Sequence, residues 1–248
     1  MDLIYTVPSN WMLSRAQQSL ILKDSDVRLL PNPIDTDKFY RLSQSEIDQF
    51  RRSMEFSEDD IVLAFGAVGG KSSYLKGAHL LDEALEILSK NDDVCDKKVK
   101  LIDFGSKFQG ESFTHGFRNI SLGYISEQST LALLYSSVDC VVVPSLVESF
   151  GQVAAEALAC ETPVISFNYS GLVDIVLDGE TGLTAKPYSA QSLADKIKKF
   201  ILLERTKRKK LGSNGRKHIV KNFSYPIIAK IYKDIIDDAI KLKNISKE

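Results

Sequence analysis

The sequence has few cysteines, and their spacing excludes two kinds of site. The three cysteines, Cys95, Cys140 and Cys160, form no C-x-x-C pair, so neither a disulfide framework nor a zinc site is indicated. A reducing cytoplasm is therefore the expected compartment. No apolar run approaches the roughly 18 residues of a membrane span, and residues 1–5 lack the basic start of a signal peptide.

Net charge is also nearly absent. The 248 residues carry 32 Lys and Arg against 33 Asp and Glu, a net charge of −1, which gives no general attraction to nucleic acid. The length of 248 residues allows a globular chain to bury about 70–75% of its unfolded surface, and a hydrophobic content of 44% is ordinary for such a chain. The ligand must therefore be inferred from local patterns.

Positive charge is concentrated in residues 196–221, where Lys and Arg greatly outnumber acids. The simpler interpretation is a solvated pair of helices. The alternative is a peripheral contact with anionic lipid at the inner face of a membrane, because each basic residue near such a surface contributes about 1 kcal/mol.

Short β-branched runs alternate with amphipathic stretches along the middle of the chain. The runs predict buried strands at 60–65, 98–102, 139–143 and 163–167. The amphipathic stretches predict helices at 77–89, 129–136 and 153–160, and a long amphipathic helix at 225–243. This alternation predicts an α/β fold with a doubly wound parallel sheet, in which ligands bind beyond the carboxyl ends of the strands.

A glycine-rich loop follows the first of these strands. It carries Gly69, Gly70 and Lys71 and resembles a nucleotide-hydrolase phosphate loop, but Phe65 stands where that motif needs glycine. What remains is a flexible loop with Lys71, followed by Lys76-Gly77 at the start of a helix, where backbone and lysine can approach a phosphate. The alternative is a surface loop with two solvated lysines.

A second turn, at the carboxyl end of a later strand, carries a pair of carboxylates. Backbone N–H groups of residues 150–153 are predicted to be free at a helix N-terminus, which favours an anion. Glu148 precedes this turn and Glu156 follows on the helix, about 12 Å apart if the segment were fully helical. A glycosidase pair lies about 5–9.5 Å apart, so the spacing favours two clamps on an elongated ligand, such as a ribose and a hexose joined by diphosphate. Taken alone, Glu156 could also be a helix-surface acid.

The motifs together resemble glycosyltransferase family 4, retaining enzymes of the GT-B fold with two Rossmann-like domains. The resemblance covers residues 27–232 and rests on the segments Leu30-Pro31-Asn32-Pro33-Ile34-Asp35, Lys76-Gly77, Leu122-Gly123-Tyr124-Ile125, Glu148 to Glu156, Thr162-Pro163-Val164-Ile165 and Asp178-Gly179-Glu180-Thr181-Gly182-Leu183. It implies a carboxyl-terminal, donor-binding half. Residues 1–40 would be a remnant of the acceptor domain and the interdomain crossing, residues 41–222 the nucleotide-sugar-binding domain, and residues 223–248 a crossing helix and tail.

The resemblance also implies a role for each site residue. Glu156 would bind ribose hydroxyls, Lys76 the diphosphate, and Glu148 the transferred sugar together with the turn Ser149, Phe150, Gly151 and Gln152. Gly105, Tyr124 and Ile125 would face the base. Lys71, with Gly69 and Gly70, would substitute for an arginine that the family usually carries before Lys-Gly. No metal or other cofactor is implied, since lysines and helix N–H groups take the charge of the departing diphosphate.

The implied reaction is transfer of a hexosyl group from an NDP-sugar, with uridine or guanosine as the nucleoside, to a saccharide or lipid-linked acceptor in surface polysaccharide synthesis. The family's amino-terminal acceptor domain and its donor-contacting histidine lie outside this sequence, and His79, His115 and His218 are predicted to be structural. The acceptor site would then come from a separate chain. One alternative is a non-catalytic binding module or truncated gene product, and another is an epimerase or phosphorylase of the same architecture. The tail residues Ile231, Ile235 and Ile236 would lack a packing partner.

Overall fold

The computed structural model of the protein describes residues 3–66 and 74–245. The strands in these ranges are β1 (Ile4–Val7), β2 (Asp26–Leu29), β3 (Ile61–Gly66), β4 (Val99–Phe104), β5 (Gln109–Thr114), β6 (Phe117–Leu122), β7 (Cys140–Val143), β8 (Val164–Phe167) and β9 (Gly182–Ala185). The helices are α1 (Asn10–Gln17), α2 (Gln44–Ser53), α3 (Ala78–Ser89), α4 (Asp92–Cys95), α5 (Gln128–Ser137), α6 (Gln152–Ala159), α7 (Ala190–Leu202), α8 (Arg205–Phe223) and α9 (Tyr225–Ile245). Two 3₁₀ turns occupy Tyr74–Lys76 and Ser170–Asp174.

A seven-stranded sheet in the order β5-β6-β4-β3-β7-β8-β9 forms the body of the protein. Its strands run parallel except β5, which pairs antiparallel with β6. The predicted α/β class and the four predicted strands, now β3, β4, β7 and β8, are confirmed. The edge strand β5 was not predicted from the sequence. His115 and Gly116 both have positive φ angles, 49° and 86°, the combination that closes a two-residue hairpin, so β5 pairs with β6 as a hairpin at the edge of the otherwise parallel sheet.

The core lies on both faces of the central strands. All six residues of β3 are buried. Val62 and Ala64 face the layer that contains α5 and α6, whereas Ile61 and Leu63 face the layer that contains α3 and α7. Because side chains alternate along a strand, a continuous apolar run is what a strand covered on both faces requires.

The amino-terminal segment packs against the carboxyl-terminal helices. Strands β1 and β2 form a separate two-stranded parallel sheet, and Ser9 caps α1 by accepting a hydrogen bond from the Met12 backbone N–H at 3.2 Å. The Ile34 N–H donates to the Phe223 carbonyl at 2.7 Å. Arg28 Nη1 lies 2.8 Å from Asp238 Oδ2. The two ends of the described chain are thus joined, and the division at residues 40 and 222 stays a prediction.

The basic region forms the two helices predicted for it, α7 and α8, but several of its cations are engaged within the fold. Lys196 pairs with Asp178 at 3.4 Å, and Lys198 pairs with Asp93. Arg216 donates to the carbonyls of Phe39, Thr36 and Ala159. Peripheral membrane contact stays a prediction that rests on the exposed lysines of α8. No helix in the described ranges is long and apolar enough to cross a bilayer.

The expectation that Ile231, Ile235 and Ile236 of the tail helix lack a packing partner was partly wrong. In α9, Ile228 is buried, and Ile231 and Ile235 are half-buried. Ile236 is 40% exposed, in agreement with the expectation. Ser224, immediately before α9, is bridged to Ile34, and Asp238 of α9 pairs with Arg28 of β2, so the amino-terminal segment lies against this helix.

Candidate functional site

Three loops meet at the carboxyl edge of the sheet. The 3₁₀ turn Tyr74–Lys76 precedes α3, residues 144–151 follow β7, and the turn Ser170–Asp174 follows β8. The Leu146 N–H donates to the Leu75 carbonyl at 2.8 Å, which joins the first two loops. Glu148 joins the last two, since its N–H donates to Ser170 Oγ at 3.0 Å and its carbonyl accepts from the Gly171 N–H at 2.8 Å. The site therefore consists of short loops tied directly to one another.

Lys76 and Glu148 form an ion pair where these loops meet. Lys76 Nζ donates to Glu148 Oε1 at 2.6 Å, and Ser145 Oγ donates to the same oxygen at 2.8 Å. The side chains are 31% and 18% exposed, so both groups remain accessible. The structure thus brings together two predicted site residues from different strand ends, and it adds Ser145 and Ser170, which the sequence interpretation missed.

Gly77 allows the loops to approach this closely. It caps α3 with φ +69°, and a Cβ atom there would lie 1.9 Å from the Pro144 carbonyl oxygen. Left-handed backbone is accessible to glycine at little cost. The Lys76-Gly77 pair therefore combines a cation with the one residue type that fits beside the β7 loop.

The α6 helix begins in the middle of the site. Gly151, with φ +105°, is its N-cap, and the first N–H groups of any helix have no partner within the helix. Phe150 has a buried side chain that packs on Phe223 with ring centroids 5.5 Å apart, so only its backbone is available for binding. Ser149 and Gln152 flank these two residues. The arrangement matches the backbone cradle predicted for the turn, whose occupancy stays a prediction.

Glu156 is a buried carboxylate, so the interpretation of it as a helix-surface acid is wrong. Only 9% of the residue is exposed. Gln152 Nε2 donates to Oε1 at 2.9 Å and Tyr135 Oη donates to Oε2 at 3.2 Å. Burial raises the pKa of the Glu156 carboxyl, and the hydrogen bonds from Gln152 and Tyr135 lower the pKa in part. Tyr135 was not predicted, although a tyrosine on the buried face of a helix needs a hydroxyl partner.

We expect Glu156→Gln to stabilise the protein in a pH-dependent manner. The raised pKa in the folded state means that ionising Glu156 costs folding free energy, so its favourable contribution is present below the ordinary glutamate pKa of about 4.3 and is lost as pH rises through the raised value. The difference in melting temperature between the variant and wild type should increase from pH 4 to 7 and then level off. Thermal denaturation over this range measures it, and a constant difference would contradict the burial argument.

The predicted base-facing residues lie at the ends of β4 and β6. The Gly105 N–H donates to the Gly123 carbonyl at 2.8 Å, which ties the two strand ends together. Tyr124 is 65% exposed, and Ile125 packs against the core. The structure therefore groups these residues at one end of the carboxyl edge, because β4 and β6 are the second and third strands from β7 in the sheet. The predicted residues Gly69, Gly70 and Lys71 lie outside the described ranges.

Residues 46–218 match the glycosyl transferases group 1 family. The chain belongs to this family. Two relatives are a glycosyltransferase of Methanocaldococcus jannaschii, 30% identical over 84% of this chain and 53% of its own length, and the capsular polysaccharide biosynthesis glycosyltransferase CapM of Staphylococcus aureus, 32% identical over 62% of this chain and 40% of its own length. The chain thus spans about half of the length of these family members.

Solved structures agree with this family assignment. Sucrose-phosphate synthase from Thermosynechococcus elongatus superposes with a TM-score of 0.78 at 26% identity, over 96% of this chain and 59% of that protein. The C-terminal domain of LpcC from Francisella tularensis, a group 1 family protein, gives a TM-score of 0.60 at 22% identity, over 77% of this chain and 99% of that domain. HepE from Anabaena in complex with UDP-glucose gives 0.75 at 21% identity, over 94% and 63%. The fold is that of the GT-B carboxyl-terminal domain.

Each of the three histidines contacts a neighbouring residue of the fold. His79 stacks on Tyr74 with centroids 4.5 Å apart. His115 Nε2 lies 3.2 Å from Asp82 Oδ1, and His218 Nε2 lies 2.9 Å from the Asp174 carbonyl oxygen. These contacts are in line with the structural roles predicted for all three. Among the described residues, no group of three or more His, Cys, Asp or Glu side chains is placed to hold a metal ion.

Proposed function

We propose that this chain is the donor-binding half of a retaining glycosyltransferase, which transfers a hexosyl group from an NDP-sugar to a saccharide or lipid-linked acceptor. The observation that carries the proposal is the Lys76–Glu148 pair at 2.6 Å, placed beside the N-terminus of α6. A cation, a carboxylate and free backbone N–H groups within one crevice match a ligand that joins a diphosphate to hydroxylated groups.

The diphosphate is assigned to Lys76 and the start of α6. The partly exposed lysine ammonium supplies a compact positive charge, and the helix N-terminus adds partial positive charge at the same place. Preorganised donors of this kind stabilise charge that develops on a departing group. The described residues can therefore favour loss of the nucleoside diphosphate through their own charge and N–H groups.

The two carboxylates are assigned to the two hydroxylated ends of the donor. Glu156 accepts one hydrogen bond on each oxygen, and a carboxylate has about four acceptor sites, so it can also accept from ribose hydroxyls. Glu148 is held by Ser145 and by the loop after β8, which fixes it to accept from hydroxyls of the transferred sugar. Neither role requires the carboxylate to transfer a proton.

In the proposed transfer, the bond between the anomeric carbon and the diphosphate oxygen breaks, and both electrons stay on the diphosphate. The acceptor oxygen bonds to the same carbon on the same face, and its proton leaves to solvent. The protein contributes by orienting the donor and by stabilising the leaving charge, which are the differential interactions that accelerate a reaction.

The relatives favour a uridine donor and a surface polysaccharide product. HepE, which shares the fold, binds UDP-glucose, and CapM takes part in capsular polysaccharide biosynthesis. We therefore propose UDP-hexose as the donor, with the cytoplasm as the compartment of transfer.

We expect Glu148→Gln to remove the preference for UDP-glucose over UDP. The wild-type protein should bind UDP-glucose more tightly than UDP because the carboxylate accepts from sugar hydroxyls, and a hydrogen bond to a charged group is worth about 1.5–3 kcal/mol, or roughly ten- to hundredfold in Kd. Isothermal titration calorimetry with both ligands measures the ratio. UDP affinity itself should change much less.

Glu83→Gln is the matched control, because Glu83 is exposed on α3 and the same amide replaces the same carboxylate. It should retain the wild-type ratio. Wild-type protein that binds neither ligand would contradict the proposed function, and an unchanged ratio in Glu148→Gln would contradict the role of Glu148.

A further inference from the structure

An aromatic cluster lies beyond the donor site, at the carboxyl ends of β8 and β9. It consists of Trp11 on α1, Tyr169 after β8 and Tyr188 after β9, together with Arg15 on α1. The Tyr169 ring centroid lies 5.9 Å from that of Trp11 and 5.6 Å from that of Tyr188, with edge-to-face geometry in both pairs. The Arg15 guanidinium lies 5.5 Å from the Trp11 ring centroid. Three rings and one cation thus form a continuous surface.

The cluster is partly open to solvent: Arg15 is exposed, and Trp11 and Tyr169 are half-buried. Tyr188 is 50% exposed and has a φ angle of +61°, a left-handed conformation that a non-glycine residue adopts at a cost. Arg15 Nη2 donates to Tyr169 Oη at 3.4 Å, and no carboxylate pairs with Arg15 in the described part of the chain. The pKa of Tyr169 is lowered, first because of this hydrogen bond from Arg15. The guanidinium is therefore available to a ligand.

The cluster is fixed relative to Glu148. Tyr169 immediately precedes Ser170, whose hydroxyl accepts from the Glu148 N–H at 3.0 Å. On the other side, Asn10 donates to Asp174 through its backbone N–H at 2.8 Å and its side-chain amide at 3.2 Å, which secures α1 against the turn after β8. The aromatic surface and the carboxylate are thus parts of one rigid edge.

The cluster lies next to the sugar end of the proposed donor. Along the sheet the strands run β6-β4-β3-β7-β8-β9. In the proposed arrangement the base lies at the ends of β6 and β4, whereas Glu148, which is assigned to the transferred sugar, lies in the loop after β7. The strand ends beyond β7 on the side away from the base, those of β8 and β9, carry the cluster. Because an acceptor must approach the transferred sugar, its binding groups are expected on this side of Glu148.

We propose that Trp11, Arg15, Tyr169 and Tyr188 form a subsite for the saccharide acceptor. This inference rests on the proposed function, since it takes the Glu148 end of the donor as the transferred sugar. Aromatic rings bind the apolar face of a sugar ring, while the arginine and the tyrosine hydroxyls bind its hydroxyl groups. The cluster joins a helix of the amino-terminal segment to loops of the donor-binding domain, so it lies where donor and acceptor must meet.

The test uses Trp11, which is the single tryptophan of the sequence, as an intrinsic reporter. Cellobiose, maltose and lactose are titrated into the full chain while tryptophan emission is recorded. At least one disaccharide should give a saturable change. Tyr188→Asn should weaken that binding by about tenfold, the contribution of one aromatic contact, and asparagine tolerates the left-handed backbone, so the variant should fold.

Tyr40→Ala is the matched control, because Tyr40 is also an exposed tyrosine but its carbonyl accepts from Ser136 before β7, at the opposite end of the sheet. Its disaccharide affinity should equal that of wild type. Arg15→Gln is a second variant and should also weaken binding. No saturable change with any of the three sugars, or an unchanged affinity in both Tyr188→Asn and Arg15→Gln, would overturn the subsite.

UDP calorimetry on the same proteins separates this inference from the proposed function. Tyr188→Asn should bind UDP as wild type does. Absence of UDP binding in wild type would contradict the proposed function. Normal UDP binding without a disaccharide response would contradict the acceptor subsite alone.

Discussion

Replacing Lys76 with methionine is expected to weaken UDP binding by about 100-fold. The substitution removes a charge-assisted contact to the diphosphate, worth about 1.5–3 kcal/mol, and leaves the Glu148 carboxylate, which Lys76 contacts at 2.6 Å, without its cation beside an anionic ligand. A tenfold change in Kd corresponds to about 1.4 kcal/mol. Isothermal titration calorimetry with UDP measures the change directly.

The loss should be specific to the phosphates and to this lysine. Uridine, which has no phosphate, should bind Lys76→Met and wild type equally. Lys90→Met is the matched control, because Lys90 follows the carboxyl-terminal end of α3 and pairs only with Glu86 of the same helix among the described residues. If Lys76→Met bound UDP with wild-type affinity, the assignment of the diphosphate to this lysine would be refuted.

Replacing Gly77 with alanine is expected to destabilise the protein and impair nucleotide binding together. A left-handed alanine costs about 1–2 kcal/mol and overpacking a further 1–3 kcal/mol, since the new Cβ would lie 1.9 Å from the Pro144 carbonyl oxygen. At about 2–4 °C per kcal/mol for a chain of this size, the melting temperature should fall by roughly 4–20 °C. Differential scanning calorimetry measures the fall, and UDP titration measures the affinity.

Gly179→Ala is the control that distinguishes the cost of left-handed backbone from the cost of the steric clash with Pro144. Gly179 has a φ angle of +75°, and a Cβ there would have no atom within 4 Å. The variant should therefore show only the effect of backbone strain, a fall in melting temperature of roughly 2–8 °C, and keep wild-type UDP affinity. Equal effects at the two glycines would show that the close approach of the Pro144 loop has no energetic importance.

The central part of the fold follows from the sequence because its signals are local. Strands buried on both faces produce unbroken apolar runs such as Val141 to Val143, and the amphipathic pattern of residues 77–89 specifies a helix with one buried face. Parallel strands bring their carboxyl ends to one edge, which was sufficient to place Lys76 and Glu148 in one crevice. The choice of candidate site residues depended on the same rule.

The edge strand β5 and the contacts within the site could not be predicted, because they depend on which distant segments of the chain pair with each other. Strand β5 is a polar edge strand, and its identity depends on the tight turn at His115 and Gly116, whose positive φ angles are not evident from residue type alone. Lys76 and Glu148 are 72 positions apart in the chain. Their contact depends on β3 lying next to β7 in the sheet. By contrast, α2 had a readable signal, since Ser43 and Glu46 form a capping box.

The pairing of Ile34 with Ser224 has a consequence for synthesis of the chain. These residues are joined by an isolated bridge, and the intervening segment contains the whole seven-stranded sheet. At roughly 5–20 residues per second, a ribosome needs about 10–40 s to make that segment. During this time β1 and β2 have been translated but lack α9, which Arg28 of β2 contacts through Asp238. Nascent chains arrested before residue 224 should therefore leave the amino-terminal segment open to proteases or chaperones, while the seven-stranded sheet can already fold.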